Sequence, residues 1–200
     1  MKTYILKITA LSPLNLGMGK ADVIVDCDTA QDEYGMPYFP AKRFKGMLYE
    51  SALEMAEISG EAWFTEVQIK ELFGQSASGL AGFSVDNLYL ADYRNKRAGW
   101  EYLFKQYTGL FNKSYVLDNY TELRYQTAID ENGTAADGSL RNIRLVDKDT
   151  VFTGSLELHE DNEINRKILD YACRNLRFVG AKRNRGCGHV RCQLLEGGNK

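Results

Sequence analysis

Apolar and polar residues alternate from Thr3 to Leu11 (TYILKITAL). The stretch is rich in β-branched and aromatic types, so it predicts a strand. Ser12-Pro13 turns the chain, and Leu14 to Lys20 (LNLGMGK) reads as a glycine-punctuated loop. Asp22 to Thr29 is apolar and then acidic. Asp32 to Gly35 is a turn before a short extended piece, Met36 to Phe39. The period changes after Pro40: Phe44, Met47, Leu48, Ala52 and Met55 fall at helical spacing and predict one buried face. A shorter helical piece runs from Phe64 to Phe73 and ends at Gly74, ahead of a small-residue loop, Ser76 to Gly82. Phe83 to Tyr93 alternates as a strand. Trp100 to Tyr107 is aromatic and amphipathic, of open type. Leu123 to Ile129 and Ser139 to Val146 alternate on either side of a polar turn, Asp130 to Gly138, and predict a protruding hairpin. Val151 to His159 is a further strand. Glu163 to Leu176 is a helix with Ile164, Ile168, Ala172 and Leu176 on one face, capped by Asp161 or Asn162. His189 to Leu195 is the last strand.

Strand, helix, strand, inserted hairpin, strand, helix, strand is the βαββαβ order of an α+β, ferredoxin-like fold. A chain of 200 residues and 22.6 kDa suits one domain spanning 1–200. No internal repeat or linker interrupts it. The net charge of -2 and pI near 5.8 argue against non-specific coating of DNA, while leaving room for a local basic face. Met1 to Tyr4 leads straight into the first strand, and no apolar run approaches membrane-spanning length, so neither a leader nor a membrane contact is expected. Four scattered cysteines, Cys27, Cys173, Cys187 and Cys192, fit reduced thiols in the cytoplasm.

The charge that matters is local. Between Tyr171 and Leu195 lie Arg174, Arg177, Lys182, Arg183, Arg185 and Arg191, with no Asp or Glu, interleaved with Gly180, Gly186 and Gly188. Glycine admits positive φ and close approach of another chain, and arginine presents planar donors to phosphate. Such a loop between a helix and a strand suits a phosphate-bearing polymer, against the plainer alternative of a solvated basic turn. A second cluster, Lys42, Arg43 and Lys45, stands in the first turns of the helix after Pro40. Cations there oppose the macrodipole unless an anion joins them, or else they reach out into solvent.

Three stretches taken together resemble the RAMP superfamily of CRISPR interference proteins. They are FPAKRFKGMLYESA (39–52), the hairpin RYQTAIDENGTAADGSLRNIRLV (124–146), and GAKRNRGCGHV (180–190). The likeness is greatest to the repeated backbone subunit of type III effector complexes. Pro40 with Lys45-Gly46 is similar to that family's Pro and Lys-Gly helix. Gly180, Arg185-Gly186 and Gly188 are similar to its glycine loop, and Leu72-Phe73-Gly74 and the strand ending in Asp92 also match. The resemblance implies an RRM-like palm with a hairpin thumb at about 124–146. It also implies binding of CRISPR RNA and complementary target RNA, and assembly with further copies of the chain and with other RAMP and large subunits. The RNA-binding residues would be Gly17, Gly19, Lys42, Arg43, Lys45, Arg124, Arg141, Lys182, Arg183, Arg185, Gly186, Gly188 and Arg191. Catalytic members carry an aspartate between the first strand and the Pro-Lys-Gly helix. Its counterpart by distance to Pro40 is Asp26, with Asp28 and Asp22 as alternatives, acting with a divalent metal, Mg²⁺ or Mn²⁺, held by Asp26. Residues 41–44 (AKRF) depart from the small residues usual there.

RNA cleavage by 2′-hydroxyl attack needs in-line geometry and charge neutralisation, so one carboxylate on a loop is a workable minimal site. The plainer reading of Asp26 is a turn residue. Cys187-x-His189-x-x-Cys192 lacks finger or ribbon spacing, and a strand would put these side chains on mixed faces, so zinc is not expected. Gly17-Met18-Gly19-Lys20 lacks the spacing of a nucleotide-hydrolysing loop. Two rival functions remain: a non-catalytic subunit of the same superfamily, and a ferredoxin-like module holding a phosphorylated ligand.

Overall fold

In the computed structural model, which describes residues 1–17, 28–77, 79–181 and 185–197, an antiparallel sheet carries two long helices on one face. The elements are β1 (Lys2–Ala10), β2 (Tyr38–Phe39), α1 (Ala41–Ser59), α2 (Glu66–Phe73), β3 (Phe83–Val85), β4 (Leu88–Leu90), α3 (Tyr93–Gln106), α4 (Lys113–Asp118), β5 (Thr121–Gln126), β6 (Arg141–Val146), β7 (Val151–Leu158), α5 (Glu163–Asn175) and β8 (Val190–Glu196).

The main sheet runs β2-β4-β7-β1-β8, with β3 also on β7, and every pairing is antiparallel. With β3 and β4 counted as one interrupted strand, the order is second, third, first, fourth. That is the ferredoxin-like arrangement expected from βαββαβ. Alternation along β1 sends Tyr4, Leu6, Ile8 and Ala10 inward, where they meet Phe152 and Leu156 of β7, Phe44, Leu48 and Ala52 of α1, and Ile168 and Ala172 of α5. Each such large side chain contributes about 1.5–3 kcal/mol when fully buried. Ser51 on α1 donates its hydroxyl to the Ala172 carbonyl (2.9 Å) and so fixes how α1 and α5 meet. The opposite face presents Thr3, Ile5, Lys7 and Thr9 beside Thr153, Ser155, Arg191 and Gln193.

Three expectations change. The strand predicted over Phe83–Tyr93 is broken at Asp86-Asn87. The Asn87 amide oxygen accepts the Ala41 N–H (2.8 Å) and caps α1, while Asp86 accepts the Ser155 hydroxyl. Asp92 then takes φ 59 and turns the chain into α3, so the segment of open type is a helix that starts at Tyr93. The short helix α4, capped by Asn112, was not anticipated, because six residues are too few to show a helical period. Of the two candidates, Asn162 is the α5 cap, its side chain accepting from Asn165 N–H (2.8 Å). Among the described residues no helix is long and apolar enough to cross a membrane.

Candidate nucleic-acid interface

β1 ends, β7 and β8 begin, and α5 finishes at one end of the sheet. The basic segments gather there because the loops that carry them are tied to one another. The segment after β1 is the hub. Leu14 exchanges backbone hydrogen bonds with Val146 at the base of the hairpin (2.9 and 2.8 Å). Gly188 N–H donates to Pro13 O (2.9 Å) and Ala181 N–H to Asn15 O (3.2 Å). Gly180, at φ 79, packs so close that a Cβ would run into the Asn15 carbonyl oxygen. That contact is why the glycine loop needs glycine at this position.

The hairpin stands on the other side of the glycine loop. Cys187 is buried against Ile143 and Leu145 of β6. Arg124 on β5 approaches the Cys187 sulfur (3.5 Å) and pairs with Glu122 (3.0 Å), and Arg185 reaches the Gln126 amide oxygen (3.5 Å). β5 and β6 pair from Thr121↔Val146 to Gln126↔Arg141, and the chain between them is exposed. The tip holds itself by local bonds. Asp130 accepts from the N–H groups of Asn132 and Thr134 and from the Thr134 hydroxyl, which pull its carboxyl below the usual range.

Arg144 locks the hairpin to the segment that follows residues 18–27. Its side chain is 9% exposed; Nε lies 3.2 Å from the Asp28 carboxylate, and Nη1 donates to Asp118 of α4 and to Thr121 Oγ1 (3.0 Å). The Arg144 carbonyl accepts the Thr29 hydroxyl (3.4 Å). Sequence reasoning missed this residue. The available signal is an arginine set between apolar neighbours in NIRLV, at the end of the strand where Ile143 to Val146 are all buried.

The nominated residues fall into three groups. Lys42 and Arg191 are exposed and Arg43 half-buried. With Arg177, they make no ion pair among the described residues. Arg141, Arg185 and Gly186 are exposed as well. A second group is committed to the fold. Lys45 sits about 200° round α1 from Arg43, with its ammonium 4.8 Å from the Phe83 ring; burial lowers its pKa. Gly17 and Gly188 are buried, and Gly17 bridges to Thr29. The Asp28 carboxylate accepts Thr29 N–H (2.8 Å) and the Gln31 side chain (3.3 Å) besides facing Arg144, so it acts as a structural acceptor. The third group, Gly19, Asp22, Asp26, Lys182 and Arg183, lies outside the described residues. Cys187 and Cys192 belong to separate packing clusters; Cys192 hydrogen-bonds Cys173, which together with burial raises the Cys173 pKa. Among the described residues no three His, Cys, Asp or Glu side chains converge as a metal site; Asp26, where the metal is expected, lies outside them.

A gathering of cations over a glycine loop, beside a projecting hairpin, suits a polyanion held by its backbone. No curated protein matches the chain. Among solved structures, it superposes on a chain from the cryo-EM structure of the Type III-B Cmr-beta bound to cognate target RNA. The TM-score is 0.70 at 14% identity, over 97% of each chain. A chain of the same Cmr-beta in its apo state gives 0.69, again at 14%, over 96% of this chain and 97% of that one. At that identity the likeness establishes the fold. The model of the RAMP superfamily matches residues 7–191, and the chain belongs to that superfamily.

Proposed function

We propose that this protein is a guide-RNA-binding backbone subunit of a type III CRISPR interference complex, and that Asp26 makes it a target-RNA endonuclease within that complex. One observation carries the binding half. The glycine loop and the hairpin base meet at one end of the sheet, where Arg177 and Arg191 make no ion pair among the described residues, and Lys42 and Arg43 on the first turns of α1 are likewise unpaired among them. Such cations hold RNA by its phosphates, and the contacts position the strand without reading its sequence. Gly46 supports the same reading: it is exposed in the second turn of α1, and nothing lies within 4 Å of where its Cβ would be. That leaves helix backbone open to a close-lying strand. The hairpin tip, free of the palm, would enter the guide–target duplex and splay the target backbone.

Cleavage is read as attack of a target 2′-hydroxyl on the adjacent phosphorus. The P–O5′ bond breaks, leaving a 2′,3′-cyclic phosphate and a 5′-hydroxyl that takes up the proton. The Asp26 carboxylate would orient the attacking hydroxyl. The segment bearing it runs between Gly17 and Asp28, which the Gly17–Thr29 bridge and the Asp28–Arg144 pair hold beside the hairpin base.

The test is target-RNA cleavage by the reconstituted complex, wild type against Asp26→Ala, with Mg²⁺ or Mn²⁺ and with chelator. Regularly spaced cuts that vanish in the variant are expected. Cuts that persist move the chemistry to Asp22 or another subunit, and guide binding without cuts makes the chain a scaffold. Purified protein free of nucleic acid, with an absorbance ratio to match, would favour a phosphorylated small ligand instead.

A further inference from the structure

The neck of the glycine loop carries two aromatic rings that the reading above does not use. Phe178 and His189 stack with centroids 5.1 Å apart and planes 26° apart. Both are exposed, and Phe178 keeps 45% of its surface in solvent. Their backbones are fixed. Val179 N–H donates to Gly188 O (2.8 Å) and Val190 N–H to Arg177 O (2.8 Å). The His189 carbonyl accepts from Leu11 and Ser12 (2.8 and 3.2 Å), and its N–H donates to the Ser12 hydroxyl (2.9 Å).

Phe178 lines a groove of about 510 Å³ between α1 and the end of α5. Met47, Glu50, Ser51 and Glu54 line its α1 side, and Arg177 its other side. Arg43 is one turn ahead of Met47 on the same helical row. Arg177 beside Phe178 attracts a phosphate, with Arg43 one turn ahead of the lining Met47, while Glu50 and Glu54 on the α1 side of the groove repel one. An RNA phosphate is thereby favoured beside Arg177, next in the chain to Phe178 of the stacked pair.

We infer that Phe178 and His189 form a stacking platform for one unpaired nucleobase of the RNA held at the glycine loop. The inference rests on the RNA-binding reading and adds a base contact to a site otherwise limited to phosphates. Every base has a π-face, so such a platform adds affinity without sequence preference. A ring already stacked on a neighbour with a fixed backbone loses little freedom when a base joins it.

The full-length protein is titrated with fluorescent oligouridine and with an abasic oligomer of equal length and equal phosphate number. Wild type is expected to bind the base-bearing RNA about tenfold more tightly. Phe178→Leu should abolish that difference while leaving the salt dependence unchanged, because no phosphate contact is lost, and Phe178→Trp should retain it. A Phe178→Leu protein that discriminates between the probes as wild type does overturns the platform. Wild type that binds both probes equally overturns the platform and leaves guide binding standing. Wild type that binds neither overturns guide binding as well. Should Phe178→Leu fail to fold, photo-crosslinking of wild type to 5-iodouridine RNA decides. Adducts on Phe178 or His189 support the platform, and adducts only elsewhere overturn it.

Discussion

The palm and the hairpin are built on opposite physical terms. In the palm, Leu6, Ile8, Phe44, Leu48, Phe152, Leu156 and Ile168 have no exposed surface. They come from two strands and two helices far apart in the chain. In the hairpin only the base is buried: Thr121 on β5 and Ile143 to Val146 on β6. Beyond Gln126 the tip relies on Asp130, Thr134 and a Thr127–Ser139 side-chain contact (2.6 Å), all between residues close in sequence. The adjoining helix α3 has no buried residue at all. A rigid platform thus carries a projection whose base is held by packing and one arginine, and whose end is held only by itself. That suits a part that enters another molecule's structure, because its low stability costs the palm nothing.

The largest expected effect tests the palm. Phe152→Ala should cost about 3–5 kcal/mol by chemical denaturation, since a buried aromatic leaves a cavity under two helices. A loss below about 1 kcal/mol would mean that the palm is not the cooperative core described above. Next comes the joint between the two regions. Arg144→Leu strands the Asp28 carboxylate and frees Asp118, and should cost about 2–3 kcal/mol, at or below the range for a broken buried pair because Asp118 is largely exposed. Hydrogen exchange should rise in 121–146 and 28–31 more than in α1 or α5; a uniform rise would erase the distinction between the regions.

Gly46→Ala acts in two directions. Its open surroundings predict a gain of about 1 kcal/mol in helix stability. RNA binding should nevertheless weaken, because the added methyl stands where a backbone would approach. Stabilisation with unchanged binding would place the RNA elsewhere on α1. The smallest effect is at the tip and depends on pH. The folded carboxyl of Asp130 lies below its ordinary 3.8, so its bonds to Thr134 support the turn above that value and are lost as pH falls through the lower folded value. Amide signals of Asn132 and Thr134 should broaden in acid while palm signals persist, and Asp130→Ala should reproduce the change at neutral pH.

The elements with a long, uninterrupted period were legible from the sequence: β1, β7, α5 and β8 fall within a residue or two of expectation, and α1 starts directly after Pro40 as expected. What failed was short or broken. Asp86 and Asn87 interrupt an apolar alternation because their side chains serve Ser155 and the α1 N-terminus, partners that no local pattern reveals. The nominated cations separated in the same way. Lys42 and Lys45 look alike in the chain, yet the turn of the helix points one to solvent and the other onto Phe83. Asp28 reads in the chain as a candidate acid, and only the fold sets Arg144, 116 positions away, beside it.

The sequence by itself determined the order of the core elements, the ferredoxin-like class, the basic glycine loop and the membership of a superfamily, because periodicity, turn residues and local charge are properties of neighbours along the chain. Only the tertiary structure decided which cations stand unpaired among the described residues, that the hairpin base, the glycine loop and the segment after β1 form one assembly, and that Phe178 and His189 share a face. The assembly of hairpin base, glycine loop and the segment after β1 depends on contacts between residues more than 100 positions apart, such as Pro13 with Gly188 and Leu14 with Val146. Such pairs are fixed by burial of the common core and leave no trace in the local pattern of either partner.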